Sequence, residues 1–517
     1  MKLLVKIVCI IFTSLYMTGT STADTVTPHA DKVISSRHNI RIPEIGRIKY
    51  RAHAGTLPIL ENDTGHREGT IFYVAYIKES TKNNVPRPIT FLWNGGPGSN
   101  SSQLHFLGLG PKRPNLPSTY PEYDENTEAP VVDNHETWLA HSDLVFLDPI
   151  GTGFSRATSA EFLDKVLNVN GDAEVISEAI RVFLSRYNRW NSPLFIGGES
   201  YGTIRAEYVA EKLEQRRTHV NGVLLISGGY NGGQKVPKGL IEGLKLTEFT
   251  AIAYYHGALS VELQKNSLKD VLAEAEAWIR SEYAPAFESA STISKNMRNA
   301  IKEKLAYYTG FPLNNIDDSL KITAAMFADR LLESRGLELG RYDGRMTAPS
   351  RAKGKIWLPN IDSSLSIQAD LMHGTSRVFN EYIRHTLGFE SDLLYQGPFG
   401  GAFHPEELKK DPKTTLPEDW MAARFDLTGM HIPSNVEPPL VTAMRLNNSL
   451  RVLSMKGMYD GSCALLDEAV SRTAKDLKDR VSNVCLPAGH MFYTDTIARQ
   501  LSVDAFAQFV RISTQFK

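Results

Sequence analysis

The sequence predicts an α/β fold, a doubly wound and mostly parallel sheet that is interrupted by a mainly helical insertion. From Ile89 onward, short apolar runs alternate with amphipathic stretches, which is typical of strands and helices that follow one another. After Gly233 the apolar residues recur with helical spacing, and strand-like runs return only near Leu450. The sheet is therefore expected to begin before the insertion and to be completed after it.

Each predicted element depends on its local pattern. Residues from about Arg47 to Glu79 alternate polar and apolar, with turn sequences at Gly55 and at Asn62–Gly65, which indicates antiparallel edge strands. Buried parallel strands are predicted at Ile89–Trp93, Leu144–Leu147, Leu194–Ile196, Val223–Ser227, Arg451–Met455 and Arg480–Leu486. Helices are predicted at Ala173–Tyr187, Thr203–Leu213, Leu240–Tyr255, Leu268–Tyr283, Ile293–Tyr308 and Leu320–Ser334. No strand is obvious within the insertion.

These patterns divide the chain into four segments. They are a signal peptide (1–23), the first part of the sheet domain (24–233), a mainly helical cap (234–439) and the second part of the sheet domain (440–517). An insertion at this point of the sheet is expected to lie over the carboxyl ends of the strands, where open α/β sheets build their sites. The cap is therefore expected to narrow access to the site.

The first residues indicate export. Lys2 and Lys6 precede an apolar run from Ile7 to Met17, and small residues at Ser21–Ala23 fit cleavage before Asp24. The alternative, a membrane anchor, is disfavoured because the apolar run is short and is interrupted by hydroxyl residues. The expected location is the periplasm, the extracellular space or, in a eukaryote, the lumen of an acidic secretory compartment.

Composition excludes some classes of partner. The chain has 57 Lys and Arg residues against 58 Asp and Glu, so its net charge of −1 argues against nucleic-acid binding. No later stretch is long and apolar enough to cross a bilayer, so no stable membrane insertion is expected after signal cleavage.

The most informative motif is Gly198-Glu199-Ser200-Tyr201-Gly202, which lies between a predicted strand and a predicted helix. In a nucleophile elbow, glycines flank the serine because a Cβ there would collide with the neighbouring strand and helix. The alternative is an ordinary Gly/Ser loop, which the strand before it and the helix after it disfavour. Ser200 is therefore the candidate nucleophile.

An activated serine needs a base and an acid that orients the base, and on this scaffold they follow the serine in the order acid, then histidine. Asp460 lies in the loop after one C-terminal strand, and His490 lies in the loop after the next. Taken singly, Asp460 would be interpreted as a turn residue and His490 as a surface histidine. Together with Ser200 they form an ordered triple at one edge of the sheet.

A glycine-rich loop follows the strand Ile89–Trp93, in the run Asn94-Gly95-Gly96-Pro97-Gly98. Backbone N–H groups in such a loop and after the nucleophile can stabilise an oxyanion, and the candidates are those of Gly96 and Tyr201. The alternative is a phosphate-binding loop, but the sequence lacks both the Gly-Lys-Ser/Thr ending and the Gly-x-Gly-x-x-Gly pattern.

With these motifs assembled, the chain resembles the serine carboxypeptidase family, whose members are serine peptidases of α/β-hydrolase fold. The matching segments are Trp93-Asn94-Gly95-Gly96-Pro97-Gly98, Asp143–Pro149 running into Gly151–Ser155, Gly198–Gly202 and Gly489-His490-Met491. The resemblance implies that Ser200 is the nucleophile, His490 the general base and Asp460 its orienting acid. It also implies that Asn94 and Glu199 help to hold the terminal carboxylate of a peptide substrate, with no metal or organic cofactor.

A role for Glu199 in binding a carboxylate requires that it be protonated, because only then can it donate a hydrogen bond. The competing interpretation is that Glu199 merely bonds to the backbone of the elbow. Members of the family usually carry a further glutamate where this chain has Gly108, and Lys112 and Arg113 follow as alternative sources of positive charge. The family's Gly-Asp-x-Asp loop is also reduced here to Gly457-Met458-Tyr459-Asp460.

Three cysteines are present, and Cys9 would leave with the signal peptide. Cys463 and Cys485 lie beside the acid and base loops, and in an oxidising compartment they are either bridged or two buried thiols. Histidines of the insertion such as His373, His385, His404 and His431 show no metal-ligand spacing, and no metal site is predicted.

The function expected from these observations is that of an exported serine-type carboxypeptidase. An esterase, an acyltransferase or another peptidase on the same scaffold is the enzymatic alternative, which the glycine at position 108 keeps open. A non-catalytic exported binding protein is the other alternative, and the complete triad argues against it.

Overall fold

The computed structural model of the chain describes residues 33–79, 86–116, 130–233, 235–350, 362–364, 377–396 and 436–515. The predicted signal peptide, Cys9 and most of the Pro-rich stretch before Pro439 lie outside these ranges, as do His373, His404 and His431.

A ten-stranded mixed sheet runs through the molecule, and it confirms the predicted mostly parallel architecture. Its principal strands are β1 (Val33–Ile42), β2 (Gly46–Leu60), β3 (Arg67–Lys78), β4 (Ile89–Trp93), β5 (Asp143–Leu147), β6 (Leu194–Glu199), β7 (Gly222–Ile226), β8 (Arg451–Gly457) and β9 (Val481–Leu486). They lie in the order β1-β2-β3-β5-β4-β6-β7-β8-β9, and the two-residue strand Arg156–Ala157 pairs with β3. The pairs from β1 to β5 are antiparallel and those from β5 to β9 are parallel.

The helices follow the predicted alternation. In chain order they are α1 (Ala160–Val166), α2 (Val169–Arg186), α3 (Tyr201–Gln215), α4 (Lys238–Tyr255), α5 (Val261–Gln264), α6 (Leu268–Trp278), α7 (Ala284–Glu288), α8 (Lys295–Thr309), α9 (Ala324–Arg330), α10 (Arg377–Asn380), α11 (Pro439–Leu446), α12 (Cys463–Ser471), α13 (Lys475–Lys478) and α14 (Thr496–Thr514). Short π-helical segments occur at Gln103–Leu109, Ile279–Tyr283 and Glu381–Thr386.

Three apolar cores hold these elements together. One lies between the sheet and helices α2, α3 and α11, and a second lies on the other face of the sheet, with α14 and the π-helix Gln103–Leu109. The third lies within the insertion, among α4, α6, α8 and α9. Because the insertion buries apolar side chains of its own, its helices are stabilised by mutual packing as well as by contact with the sheet domain.

Three sequence-based expectations need correction. Gly55 is not in a turn but lies within β2, where it pairs with Val33 and Tyr73. The helix expected from Leu320 to Ser334 is only Ala324–Arg330, because Leu320 has a positive φ of 59°, which an α-helix does not accommodate. The insertion also contains a small antiparallel sheet, whose strands of three residues each are too short to produce an alternating pattern.

The ends of the main helices follow local chemistry. Asn168 begins α2 by accepting the N–H of Gly171, and Asp495 begins α14 by accepting the N–H groups of Ile497 and Ala498. Among the described residues, no helix combines the length and hydrophobicity that crossing a membrane requires.

Candidate active site

Ser200 lies at a sharp turn between β6 and α3. Its φ is +58° and its ψ is −126°, and its side chain is only half-buried although the strand before it is fully buried. A Cβ added at Gly198 would lie 2.2 Å from the carbonyl oxygen of Gly202. Glycine is therefore required at Gly198 for the helix to begin immediately after the serine.

Asp460 and His490 are joined directly. His490 Nδ1 lies 2.7 Å from Asp460 Oδ2, and both side chains are about nine-tenths buried. Asp460 lies after β8 and His490 after β9, so two neighbouring parallel strands deliver them to the same edge of the sheet. The contact to Nδ1 leaves Nε2 as the ring nitrogen that can accept a proton.

The backbone brings His490 beside the elbow. The carbonyl of Ile226, at the end of β7, accepts the Ser200 N–H, and the hydroxyl of the next residue, Ser227, donates to the carbonyl of His490 at 2.5 Å. Within the described part of the chain, Ser200 Oγ itself makes no hydrogen bond, a common state in an apo site. The structure therefore joins acid and histidine directly, and it links the backbone of the elbow to the histidine loop through Ile226 and Ser227.

The glycine-rich loop after β4 packs against the elbow. A Cβ at Gly95 would lie 2.7 Å from the amide nitrogen of Tyr201, and a Cβ at Gly96, whose φ is +103°, would lie 2.7 Å from the amide nitrogen of Gly98. The backbone of Gly95 is thus adjacent to the Tyr201 amide, and only glycine allows this approach, while Gly96, the next residue, packs against the amide of Gly98. The Gly96–Pro97 peptide bond is cis.

A buried ion pair that sequence reasoning missed supports this loop. Arg205 Nε donates to Asp172 Oδ2 at 2.7 Å, and its Nη1 donates to the carbonyl of Asn94 at 2.7 Å. The Tyr201 hydroxyl also donates to Asp172 Oδ2, at 3.0 Å. These contacts connect helices α2 and α3 to the loop after β4, and they fix the position of that loop relative to the elbow.

Glu199 is 2% exposed and is held from two sides. Its Oε2 accepts hydrogen bonds from Asn94 Nδ2 and, at 3.0 Å, from the Tyr493 hydroxyl. Its Oε1 is buried and has no hydrogen-bond partner among the described residues. Burial raises the pKa of Glu199 to about 7, although His490 and Tyr493 oppose that shift. The partners of this side chain are side chains, which does not fit the interpretation that it merely bonds to the elbow backbone.

Asn94 is fixed at the centre of this group. Its Nδ2 also donates to Gln103 Oε1 at 3.2 Å, and its Oδ1 accepts the N–H of Leu104 at 3.0 Å. Gln103 lies in the π-helix that follows the glycine-rich loop, and sequence reasoning did not single it out.

The pKa of His490 reflects opposing causes. Burial alone would lower it, but the hydrogen bond and charge of Asp460, together with the nearby Glu199, raise it above its ordinary value. The Asp460 carboxylate therefore favours the imidazolium form of His490.

The loop between the two short strands of the insertion contacts the histidine loop. The carbonyl of Tyr342 accepts the N–H of His490 at 2.7 Å, and the two rings lie 5.3 Å apart, edge to face. Arg345 pairs with Asp343 at 2.7 Å and with Asp495, at the start of α14, at 3.0 Å. A residue of the insertion thus contacts the histidine loop. The sequence predicted a cap near the site but did not single out Tyr342, because no motif anchors this region.

The other predicted residues are also accounted for. Cys463 and Cys485 form a disulfide, with Cα atoms 5.7 Å apart, which links the start of α12 to β9. Lys112 pairs with Asp133 at 2.5 Å, so its charge is already neutralised. The pKa of Arg113 is lowered to about 10, mainly by burial and also by Arg499.

Metal-ligating side chains are dispersed in the described ranges, which contain no group of three or more His, Cys, Asp or Glu residues able to hold a metal ion. Of the four insertion histidines named from the sequence, His385 lies within these ranges, in the π-helical segment Glu381–Thr386.

Comparison with known proteins gives consistent matches. The profile of the serine carboxypeptidase family matches residues 44–348, which is more than half of the chain. Pheromone-processing carboxypeptidase kex1 of Aspergillus niger is 28% identical over 185 residues, which cover 34% of this chain and 27% of that protein. Serine carboxypeptidase-like 45 of Arabidopsis thaliana is 24% identical over 295 residues, which cover 54% of this chain and 58% of that protein. The chain thus matches less than two thirds of the length of either relative.

Among solved structures, Kex1(delta)p, a prohormone-processing carboxypeptidase from Saccharomyces cerevisiae, superimposes with a TM-score of 0.52 at 14% identity. The superposition covers 89% of this chain and 91% of that chain. With the strand order of the sheet, this likeness confirms the predicted α/β-hydrolase fold.

Proposed function

The chain belongs to the serine carboxypeptidase family, and from that premise we propose that it is an exported serine peptidase that releases residues from the C-termini of peptides. Ser200 is the nucleophile, His490 the general base and Asp460 the acid that orients and stabilises the imidazolium. The direct contact of Asp460 with His490 Nδ1 beside the elbow supports these roles.

In the first half of the reaction, Ser200 Oγ attacks the carbonyl carbon of the scissile peptide bond while His490 Nε2 accepts the hydroxyl proton. The resulting oxyanion is stabilised by the N–H groups of Gly96 and Tyr201. The intermediate collapses when the C–N bond breaks and the imidazolium donates its proton to the leaving amine, which departs as the free C-terminal residue.

In the second half, water attacks the acyl-enzyme and His490 accepts its proton. Cleavage of the bond from the acyl carbon to Ser200 Oγ then releases the shortened peptide and returns the proton to the serine. Every proton in this scheme moves between the substrate, water, Ser200 and His490, so the proposed reaction needs no metal and no organic cofactor.

The observation that carries the choice of a carboxypeptidase is the buried acid next to the nucleophile. At mildly acidic pH Glu199 is protonated, since its pKa is about 7, and a protonated carboxyl can donate to a substrate carboxylate. Asn94 holds this carboxyl and is the second residue that we assign to carboxylate binding. Neither an esterase nor an internal peptidase needs such a group.

Two experiments test the proposal. Labelling by a fluorophosphonate, lost in Ser200→Ala, is expected because an activated serine reacts with this class of reagent, and its absence would favour a binding protein. Peptides with free and amidated C-termini, assayed beside simple esters, then distinguish a carboxypeptidase from an esterase or acyltransferase. Exclusive turnover of the esters would overturn the proposal.

We also propose that the chain acts outside the cytoplasm. The Cys463–Cys485 disulfide supports this location, because such bonds persist in oxidising compartments. The periplasm, the extracellular space and the acidic lumen of a secretory compartment are all oxidising locations. An acidic compartment would also keep Glu199 protonated.

A further inference from the structure

Tyr493 contacts the proposed carboxylate site, and no sequence motif pointed to it. It follows His490 by three residues, is fully buried, and directs its hydroxyl to Oε2 of Glu199 at 3.0 Å. Asn94 Nδ2 donates to the same oxygen. Oε2 therefore accepts two hydrogen bonds, while Oε1 of the same carboxyl has no hydrogen-bond partner among the described residues.

This arrangement decides which oxygen carries the proton. An oxygen that accepts two hydrogen bonds is a poor site for a proton, because the proton would face the two donors. When Glu199 is protonated, its proton therefore resides on Oε1. The one carboxyl oxygen left without a partner is then the one that can donate to an incoming carboxylate.

The Tyr493 ring also explains Gly108. A Cβ at position 108 would lie 2.6 Å from Cγ of Tyr493 and 2.7 Å from its Cδ2. The ring thus occupies the space into which any side chain at position 108 would point. A glutamate placed there would have to displace Tyr493, so Gly108→Glu is not a simple way to strengthen carboxylate binding.

From this geometry we propose that Tyr493 is a positioning residue for the terminal carboxylate of the substrate, acting by holding Glu199 with Oε1 free to donate. The inference rests on the proposed function, since it deepens the role assigned to Glu199. Gly108 and Tyr493 then form one unit, in which the missing side chain at one position makes room for the phenol at the other.

The pH dependence of this unit follows from the groups that face Glu199. They are His490 and Tyr493 from the loop after β9, which lower its pKa, and Asp460 from the loop after β8, which raises it. Loss of the Tyr493 hydroxyl removes a donor that favours the ionised form, so the pKa of Glu199 rises. The variant therefore keeps Glu199 protonated at higher pH than the wild type does, but with the carboxyl less well oriented.

The test compares Tyr493→Phe with the wild type on one peptide, supplied as the free acid and as the C-terminal amide, across the acidic and neutral pH range. For the free acid we expect KM at low pH to rise about fivefold, the loss of roughly one hydrogen bond. The pH at which KM begins to climb is expected to move upward. For the amide, KM of the variant is expected to equal that of the wild type across the same pH range.

Tyr283→Phe is the matched control. Tyr283 is equally buried and donates its hydroxyl to the carbonyl of Leu320 at 2.8 Å, within the insertion. This control loses a buried phenolic hydrogen bond of the same kind, so any effect of general destabilisation appears in both variants. Of these two variants, Tyr493→Phe alone is expected to change the pH profile of KM for the free acid.

Gly108→Ala is the second variant, because it retains the phenol but forces the ring away, and it is expected to reproduce the upward pH shift. If the wild type prefers the free acid while Tyr493→Phe and Gly108→Ala keep its pH profile, the role of Tyr493 is overturned and the proposed function stands. If the wild type treats acid and amide alike at every pH, the proposed carboxylate recognition fails, and the role of Tyr493 fails with it.

Discussion

Individual contacts in the structure explain the reactivity that we expect of Ser200, Asp460 and His490. Ser200 has a positive φ at the sharp turn after β6 and a half-buried side chain, and Asp460 holds the ring of His490 through Nδ1. Burial and neighbouring charge then determine the protonation of Glu199 and His490. These contacts between single residues therefore predict both catalytic rates and pH profiles.

Ser200→Ala and His490→Ala are each expected to lower kcat on the order of 10⁴-fold, with the double variant little worse than either, because the residues act as one unit. Asp460→Asn is expected to cost less, since it removes only orientation and charge stabilisation. Steady-state kinetics on a peptide substrate measure these losses, and circular dichroism checks the fold. Retention of more than about a tenth of the wild-type rate by either alanine variant would refute the assigned triad.

Glu199→Gln is expected to remove a pH dependence. In the wild type, Glu199 is protonated below its pKa of about 7, so KM for free-acid peptides should be low at acidic pH and rise as pH passes that value. Glutamine retains a donor and cannot ionise, so the rise should disappear. Amidated peptides, which carry no charge to repel, serve as the control in the same assay. An identical pH profile for both enzymes on the free acid would contradict this role.

At the scale of elements, the loop of the insertion that contains Tyr342 and Arg345 is part of the site. Arg345 links Asp343 to the start of α14, and its Nη1 also donates to the carbonyl of Pro487 at 3.2 Å. A Cβ at Gly489 would lie 2.4 Å from Cβ of Asp343. The glycine before His490 is thus needed because the insertion packs against the histidine loop.

Arg345→Met is expected to destabilise the fold by about 3 kcal/mol, because it leaves two carboxylates in a mostly buried position without their partner. It is also expected to lower kcat, since His490 loses support from the insertion. Denaturant unfolding and peptide kinetics measure the two effects. Arg330→Met is the control, because it breaks an exposed pair with Glu333 and should leave both values unchanged. A wild-type kcat in Arg345→Met would show that this loop does not support His490 in catalysis.

The disulfide joins α12, which follows the Asp460 loop, to β9, which precedes the His490 loop. Mature protein analysed by non-reducing mass spectrometry is expected to be two hydrogens lighter than its reduced form. Reduction is expected to lower the free energy of unfolding by about 3 kcal/mol, from the loop that the bridge closes. Alkylation of both thiols in the denatured, unreduced protein would show that Cys463 and Cys485 are free, and the triad assignment would survive.

At the scale of the whole molecule, local patterns predicted the sheet better than the insertion. Strands such as β4 and β7 are continuous buried runs, and they lie where the apolar residues place them. The two short strands of the insertion left no such pattern. Contacts such as those of Tyr493 with Glu199 and of Arg205 with Asn94 join residues far apart in the chain, and no local sequence signal encodes them.

Digestion of an unbiased peptide mixture tests most directly whether the molecule removes residues from free C-termini. After incubation of the mature protein at mildly acidic pH, mass spectrometry should show products shortened from the C-terminus by single residues. Amidated peptides in the same mixture should be shortened less, and Ser200→Ala should yield no products. Fragments cut internally or from the N-terminus would contradict the proposed carboxypeptidase function. So would hydrolysis of esters without any cleavage of the peptides.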